Sequence, residues 1–353
     1  MPYSQKETQM MELLKSLTKG QSLSVEDSYS ILKEFFSGDV SNDVIEEFLR
    51  AFSDKGESPE ELLGFVNCLH DHCLPIDYNP TEPVLDICGT GGSGMDRFNI
   101  STCAAFVLAA GDVMVAKHGN YGSKRPNGSF DFLEKMNISF EFEPDEIVRL
   151  LDETKLCFLF ARKFHPAMRF VAAARRKLKK RSIFNLAGPL ANPLKVSHQI
   201  IGMPNEDHLS TLISCLQLMP IEKVAICIGG DKRDELSLEG ESKILMVTKD
   251  SVTESKLNFQ RDIEAADPNY PCGNSNENAQ IFTQLILNED WDHPLFKHIC
   301  INAALGFVVA GKSDDIKDAY ELGLNLFKSN EVTKKINHYK SVAASIEEQV
   351  NAR

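Results

Sequence analysis

The stretch 84–134, which opens VLDICGTGGSGMDRFNIST and closes KHGNYGSKRPNGSFDFLE, constrains this chain more than any other part of it. Residues 84–88 are mostly apolar and predict a short buried strand. Gly89, Gly91, Gly92 and Gly94 follow at once. Glycines permit positive φ and let backbone N–H groups reach a ligand with no side chain between. Asn99, Ile100, Ser101 and Thr102 then supply an amide and two hydroxyls, and 103–110 is a small-residue apolar run that predicts a tightly packed helix. Such a helix aims its N-terminal donors and positive dipole end at the glycine loop, which is phosphate chemistry. Taken alone, the same glycines also describe a plain strand-to-helix turn, because short Gly motifs recur by chance. A second apolar strand at 113–116 runs straight into Lys117-His118-Gly119-Asn120. Strand, loop, helix and strand make a βαβ unit, and such units build parallel sheets whose ligands sit at the strand carboxyl ends. Lys117 can neutralise a phosphate there and Asn120 can donate an amide.

At 353 residues the chain exceeds one ordinary core, so two domains are expected. A net charge of −13 disfavours nonspecific nucleic-acid or anionic-membrane binding. The N-terminus is polar and helix-patterned with no apolar signal-peptide core, and the apolar runs are too short to span a membrane. Nine cysteines, an odd number, lie in apolar company such as Ile226-Cys227-Ile228, as reduced core thiols do, which points to the cytoplasm.

Residues 1–75 carry apolar positions at helical spacing and no strand signal, with helix starts of the capping-box type at Ser24/Asp27 and Ser58/Glu61. Cys68, His70, His72 and Cys73 have metal-ligating side chains, but His70 leaves the face that Cys68 and His72 share, and helix-end residues are the simpler reading. The run from Arg175 to Arg181 reads as cations gathered on the last turns of a helix, with Arg175 nearest the apolar side and able to meet a carboxylate. Residues 184–193 read as a turn-rich connection; 199–203 and 223–228 as strands about a helix at 207–218; 243–287 as strands and loops; 299–310 and 316–327 as helices before a polar end. Asp234 and Glu235 follow the strand at 223–228, where adjacent carboxylates can reach one Mg²⁺ together with substrate oxygens.

Taken together, GTGGSG, FNIST, KHGN, FHPAM, IFNLAGPLANP, DELSL and the closing NAAL…AGK resemble the anthranilate phosphoribosyltransferase family in order and rough spacing over residues 5–345. The resemblance implies an α/β fold of the nucleoside phosphorylase/phosphoribosyltransferase type: a small all-helical domain (1–78 with about 163–186), and a larger α/β domain with a mostly parallel sheet (79–162 and 187–345). A polar tail, 346–353, would follow. It implies a homodimer through the helical domain and transfer of the phosphoribosyl group of phosphoribosyl pyrophosphate (PRPP), with Mg²⁺, to the amine of anthranilate. Carried over, Gly89, Gly92, Ser93, Arg97, Asn99, Ile100, Ser101, Thr102, Lys117 and Ser129 would bind PRPP. Gly89, Asn120 and Arg175 would meet the acceptor, and Ser101, Asp234 and Glu235 would bind Mg²⁺. Three departures stand out: Ser93 where the family usually has Asp, Arg97 where it has Ser or Thr, and Tyr121-Gly122-Ser123-Lys124-Arg125-Pro126-Asn127 in place of an Arg-and-serine loop. They make the pocket more positive than the family pattern. A different aromatic or heterocyclic acceptor, nucleoside phosphorolysis, and an inactive nucleotide- or nucleic-acid-binding protein are the alternatives; retention of both metal carboxylates argues against the last.

Overall fold

A computed structural model describes residues 5–90, 97–122 and 126–351. Two compact units are present: residues 1–74, 164–193 and 207–220 form one, and residues 75–163, 194–206 and 221–353 the other. The sequence reading gave 187–220 to the α/β domain. Residues 187–193 and 207–220 instead pack with the helical unit, where the helix Leu209–Leu218 lies against Pro59–Asp71 and Thr211 donates a hydrogen bond to the Glu57 carbonyl at 3.1 Å.

The helical unit opens with Gln5–Thr18, Val25–Ser37, Asn42–Lys55 and Pro59–Asp71. Ser58 completes a capping box: its hydroxyl accepts from the Glu61 amide, and Glu61 accepts from the Ser58 amide at 2.8 Å. Ser24 caps from one side only, accepting from the Asp27 amide at 3.0 Å. The apolar stripes meet in a core of edge-on aromatic pairs, Phe35 with Phe48, Phe52 with Phe65 and Phe65 with Phe184. Residues 184–193 depart from the expected turn, since Phe184–Leu190 is helical with Gly188 and Pro189 in its last turn. In the former metal candidate the Cys68 thiol lies 3.6 Å from His72 Nδ1, and the Cys73 thiol donates to the His70 carbonyl.

His165, in the FHPAM segment, is buried with Nε2 2.8 Å from the Ala191 carbonyl. Burial lowers its pKa below the ordinary 6.5 against the pull of hydrogen bonds to the Ala191 and Leu69 backbone. A folded pKa below the unfolded one means that the unfolded chain takes up the proton first, so this group's contribution is present above 6.5 and lost as pH falls below it. The melting temperature is therefore expected to drop more between about pH 7.5 and about pH 5.5 in the unaltered protein than in His165→Gln. Equal drops in the two proteins would place the acid sensitivity elsewhere.

In the α/β unit the described residues form one seven-stranded sheet. Its strands are β1 (Val84–Gly89), β2 (Met114–Gly119), β3 (Leu156–Phe160), β4 (His198–Gly202), β5 (Lys223–Ile228), β6 (Glu241–Val247) and β7 (Val252–Asn258), in the order β3-β2-β1-β4-β5-β6-β7. The first five are parallel; β6 and β7 add antiparallel at one edge. Helix Ile100–Ala110 is apolar all round because it is sandwiched: it packs on β1 and β2 and against the equally buried helix Pro294–Val309. Two expectations for the C-terminal part fail. Within 243–287 the structure contains the helix Ser275–Leu287, capped by Asn274 with Glu277, and the supposed tail is the end of the helix Glu331–Asn351, with Ile346 buried.

Candidate active site

Because the inner strands are parallel, their carboxyl ends share one edge, and β1 and β4 end in register with Gly89 beside Gly202. The acidic segment after β5 lies across this edge. A Cβ on Gly202 would fall 1.8 Å from the Asp234 carbonyl oxygen, and one on Gly89 only 2.3 Å from Asp234 Oδ2, so both strand ends must be bare for Asp234 to seat. Asp234 and Glu235 are each 7% exposed. Their backbone is held from below by helix Pro294–Val309: Asn302 accepts from the Leu236 amide at 2.9 Å and donates to the Leu236 carbonyl at 3.0 Å. His298 Nε2 donates to that same carbonyl at 2.6 Å while Nδ1 accepts from the Tyr270 hydroxyl, so the imidazole is a neutral tautomer whose buried ring has its pKa lowered to about 3.

Glu235 Oε1 is buried with no hydrogen-bond partner. Burial raises the Glu235 pKa to about 7, although Arg97 and Arg233 pull it down. Arg97 forms an ion pair with Asp234 Oδ1, and Arg233 pairs with Asp231 at 2.7 Å. Among the described residues no three Asp, Glu, His or Cys side chains converge. Two adjacent carboxylates, one carrying a buried oxygen without a partner, fit Mg²⁺, which takes one or two carboxylates and fills its octahedron with water and substrate oxygens.

Lys117 lies inside β2, not in the loop that the sequence suggested, and is 1% exposed. Its ammonium donates to the Ile87 carbonyl on β1 at 2.5 Å. Burial lowers its pKa, and the neighbouring Asp86 raises it. Asp86 itself accepts from the His118 amide at 3.1 Å and from Gln199 at 3.4 Å. A carboxylate inside the apolar strand VLDIC is the local sign of this group in the sequence.

Asn99 sits just before the helix Ile100–Ala110, with Ser101 and Thr102 in its first turn. The Asn99 amide donates to the Asn127 and Gly128 carbonyls at 3.4 and 3.3 Å, which joins the helix entrance to the loop that leads into Ser129. Thr90 and Thr102 carry buried hydroxyls with no hydrogen-bond partner, and no hydrogen bond links Ser101 to the acidic pair among the described residues. Asn278 is the hub of this corner and was not anticipated. It donates to the Arg97 carbonyl (3.1 Å), Asn99 Oδ1 (3.1 Å) and Asn127 Oδ1 (3.3 Å), and accepts from the Gly273 amide (2.9 Å).

The described part of the altered loop is held at both ends. The Tyr121 ring packs edge-on against Phe160, 5.0 Å between centroids, with the Arg162 guanidinium 5.1 Å above it. Asp131 accepts from the Gly122 and Gly128 amides at 2.7 and 2.9 Å and closes the base of the loop. Tyr121 thus anchors the loop to a core cluster. Asn120 is exposed, with Oδ1 accepting from the Tyr121 amide at 2.8 Å. Gly92 and Ser93, and the loop cations Lys124 and Arg125, lie outside the described residues. Arg175 belongs to the helical unit, its guanidinium 4.9 Å from the centre of the Phe184 ring. Burial lowers its pKa, and it has no ion-pair partner among the described residues. A shallow cavity of about 310 Å³ opens beside Arg233, against Pro268 to Cys272, and none of the sequence-predicted site residues lines it.

The family models described as "Glycosyl transferase family, a/b domain" and "Glycosyl transferase family, helical bundle domain" match residues 81–331 and 11–73. The chain is 33% identical over 330 residues to the anthranilate phosphoribosyltransferase of Streptococcus mutans, covering 93% of this chain and 97% of that protein. The chain belongs to the anthranilate phosphoribosyltransferase family. It is also 34% identical over 343 residues to the Oceanobacillus iheyensis protein of that name, covering 97% of this chain and all of that one. The crystal structure of the Thermus thermophilus member superposes with a TM-score of 0.82 at 31% identity, over 93% of this chain and 98% of that one. The Saccharomyces cerevisiae enzyme, solved in complex with PRPP and Mg, shares the fold with a TM-score of 0.86 at 22% identity, over 96% of this chain and 99% of that one. The family thus accounts for the helical domain and the mostly parallel sheet.

Proposed function

We propose that this chain transfers the phosphoribosyl group of PRPP to the amine of anthranilate, releasing pyrophosphate, with Mg²⁺ as cofactor, in tryptophan biosynthesis. The observation that carries the reading is Asp234 seated against Gly89 and Gly202 at the sheet's carboxyl edge, with a buried oxygen of the adjacent Glu235 that has no hydrogen bond. Asp234 and Glu235, with the Ser101 hydroxyl, would hold Mg²⁺, which when bound neutralises the charge that gathers on the departing pyrophosphate. The backbone amides of the glycine loop and of the first turn at Ile100 to Thr102 receive the phosphates. Lys117, buried with its ammonium on the Ile87 carbonyl of β1, adds a positive charge at that strand. Ser129 and Asn99 brace the donor side, and Asn120 presents an amide to the acceptor. An arylamine is unprotonated at neutral pH, so its lone pair needs placement beside the anomeric carbon more than a dedicated base. Titrating PRPP into the protein tests the donor half of this account: binding heat is expected with Mg²⁺ and not with EDTA, and equal binding in both would overturn it.

Arg175 is the cation for the acceptor carboxylate. A half-buried guanidinium with an aromatic ring beneath it and no ion-pair partner among the described residues suits a planar, aromatic acid. Arg175→Ala is expected to weaken anthranilate binding by about one to two decades, corresponding to roughly 1.5–3 kcal/mol for a charge-assisted contact, and PRPP binding much less. Equal losses for the two substrates would remove Arg175 from the acceptor site.

The helical unit, whose first helix leaves Met11 53% exposed, is the surface on which a homodimer would form. Sedimentation at micromolar concentration distinguishes dimer from monomer. A cytoplasmic location agrees with nine cysteines that are all free thiols and with the absence, among the described residues, of any helix long and apolar enough to cross a membrane.

A further inference from the structure

We infer that Arg97 is a resident counter-cation of the metal site, which a divalent ion must displace from Asp234, so that metal alone binds weakly and metal binds together with PRPP. The inference rests on the reading of Asp234 and Glu235 as metal ligands. Three observations carry it. Arg97 and Asp234 form an ion pair in which the Asp234 side chain is 2% exposed and the Arg97 side chain 30% exposed, so one end is fixed in the sheet edge and the other has room to leave. The Arg97 carbonyl is held by Asn127 Nδ2 at 2.9 Å and Asn278 Nδ2 at 3.1 Å, so its backbone stays in place while the side chain moves. Asp234 Oδ2 is set against the bare Cα of Gly89, and Arg97 meets the carboxylate at its other oxygen, Oδ1, so Arg97 occupies an oxygen that the strand end does not cover.

Two cations cannot share that oxygen without repulsion, which is strong where the surroundings are poorly polarisable. A guanidinium is an always-charged, planar donor of five N–H groups, and it occupies a carboxylate more persistently than a lysine would. A Ser or Thr at this position, the type the family resemblance implies, carries no charge to compete with a metal for the carboxylate. When PRPP arrives with its metal, the displaced fork finds phosphate oxygens, for which its geometry is equally suited. Arg97 thereby links the two events: the metal loses less by displacing a cation that has a second anion to bind.

The test is Mn²⁺ binding to the full-length protein without PRPP, read from the free-ion electron paramagnetic resonance signal. Arg97→Ser and Arg97→Met are compared with the unaltered chain, each also in an Asp234→Asn/Glu235→Gln background. Met keeps the aliphatic stem should Ser fail to fold, as judged by circular dichroism. Removing a charge-assisted contact of this type is expected to tighten Mn²⁺ binding about tenfold or more in both Arg97 variants, with the gain lost in the carboxylate background. Equal Mn²⁺ affinity with and without Arg97, still dependent on the carboxylates, would overturn the counter-cation and leave the metal site standing. Mn²⁺ binding indifferent to the carboxylates would overturn the metal site itself, and the inference with it.

Discussion

Replacing Asp234 and Glu235 together by Ala lowers turnover by at least about 10²–10³, the scale on which a preorganised charge acts on a departing oxyanion. It is expected to abolish the Mg²⁺ dependence of PRPP binding as well. The fold should survive. Glu235 carries a buried oxygen with no hydrogen bond, so its removal relieves a desolvation penalty. The guanidinium that pairs with Asp234 is already part-exposed and can be solvated when that ion pair is lost. The segment itself is held through the Leu236 backbone by Asn302 and His298, which the substitutions leave alone. Calorimetric titration with PRPP and Mg²⁺, beside a thermal melt, separates the two effects. A variant that melts normally and still binds PRPP only when Mg²⁺ is present would place the metal elsewhere.

Asn278→Ala is expected to destabilise the protein by about 2–4 kcal/mol and to weaken PRPP binding, because buried donors and acceptors left without partners cost about 1–3 kcal/mol each. The amide is fully buried and serves the Arg97 carbonyl, Asn99, Asn127 and the Gly273 amide at once. Truncation leaves Asn99 Oδ1 and the Gly273 amide without those contacts, while the Arg97 carbonyl keeps Asn127. The loss falls on the segment that leads into the phosphate helix, so affinity and stability should fall together. Asn278→Asp keeps an acceptor for Gly273 but cannot donate to Asn99, and should lie at least as low. Denaturant melts and PRPP titrations check this. An unchanged melting midpoint with full PRPP affinity would show that Asn278 is not the hub of this corner.

The parts of the fold that were readable from the sequence are those where local chemistry and tertiary role coincide. Glycines after an apolar strand, small residues in the next helix and carboxylates after β5 need the same environment locally as they meet in the fold. The helix Ser275–Leu287 was missed because its start, Asn274 to Asn278, is polar for two different reasons. Asn274 caps the helix, while Asn278 faces inward to the phosphate corner, and nothing local tells these roles apart. Lys117 was placed in a loop because a charged residue usually ends an apolar strand. Here it continues β2, and its charge is accommodated by the Ile87 carbonyl and the nearby Asp86, both on the neighbouring strand. Tyr121 stood out as a departure from the family's loop, yet its environment is aromatic packing on Phe160, visible only once β3 lies beside β2. Arg97 stood out in the same way, and its partner Asp234 is 137 residues distant. A contact of that range leaves no periodicity or spacing to read.

The central claim is that this chain joins anthranilate to the phosphoribosyl group of PRPP at the Asp234/Glu235 edge. Anthranilate fluorescence, followed with a coupled measurement of pyrophosphate release, tests it most directly in one cuvette. The account predicts that fluorescence falls as pyrophosphate appears in equal amount, only when PRPP and Mg²⁺ are both present, and not in the Asp234→Ala/Glu235→Ala variant. Pyrophosphate released from PRPP with another aromatic amine but not with anthranilate, or anthranilate consumed at the same rate by the double variant, would contradict it.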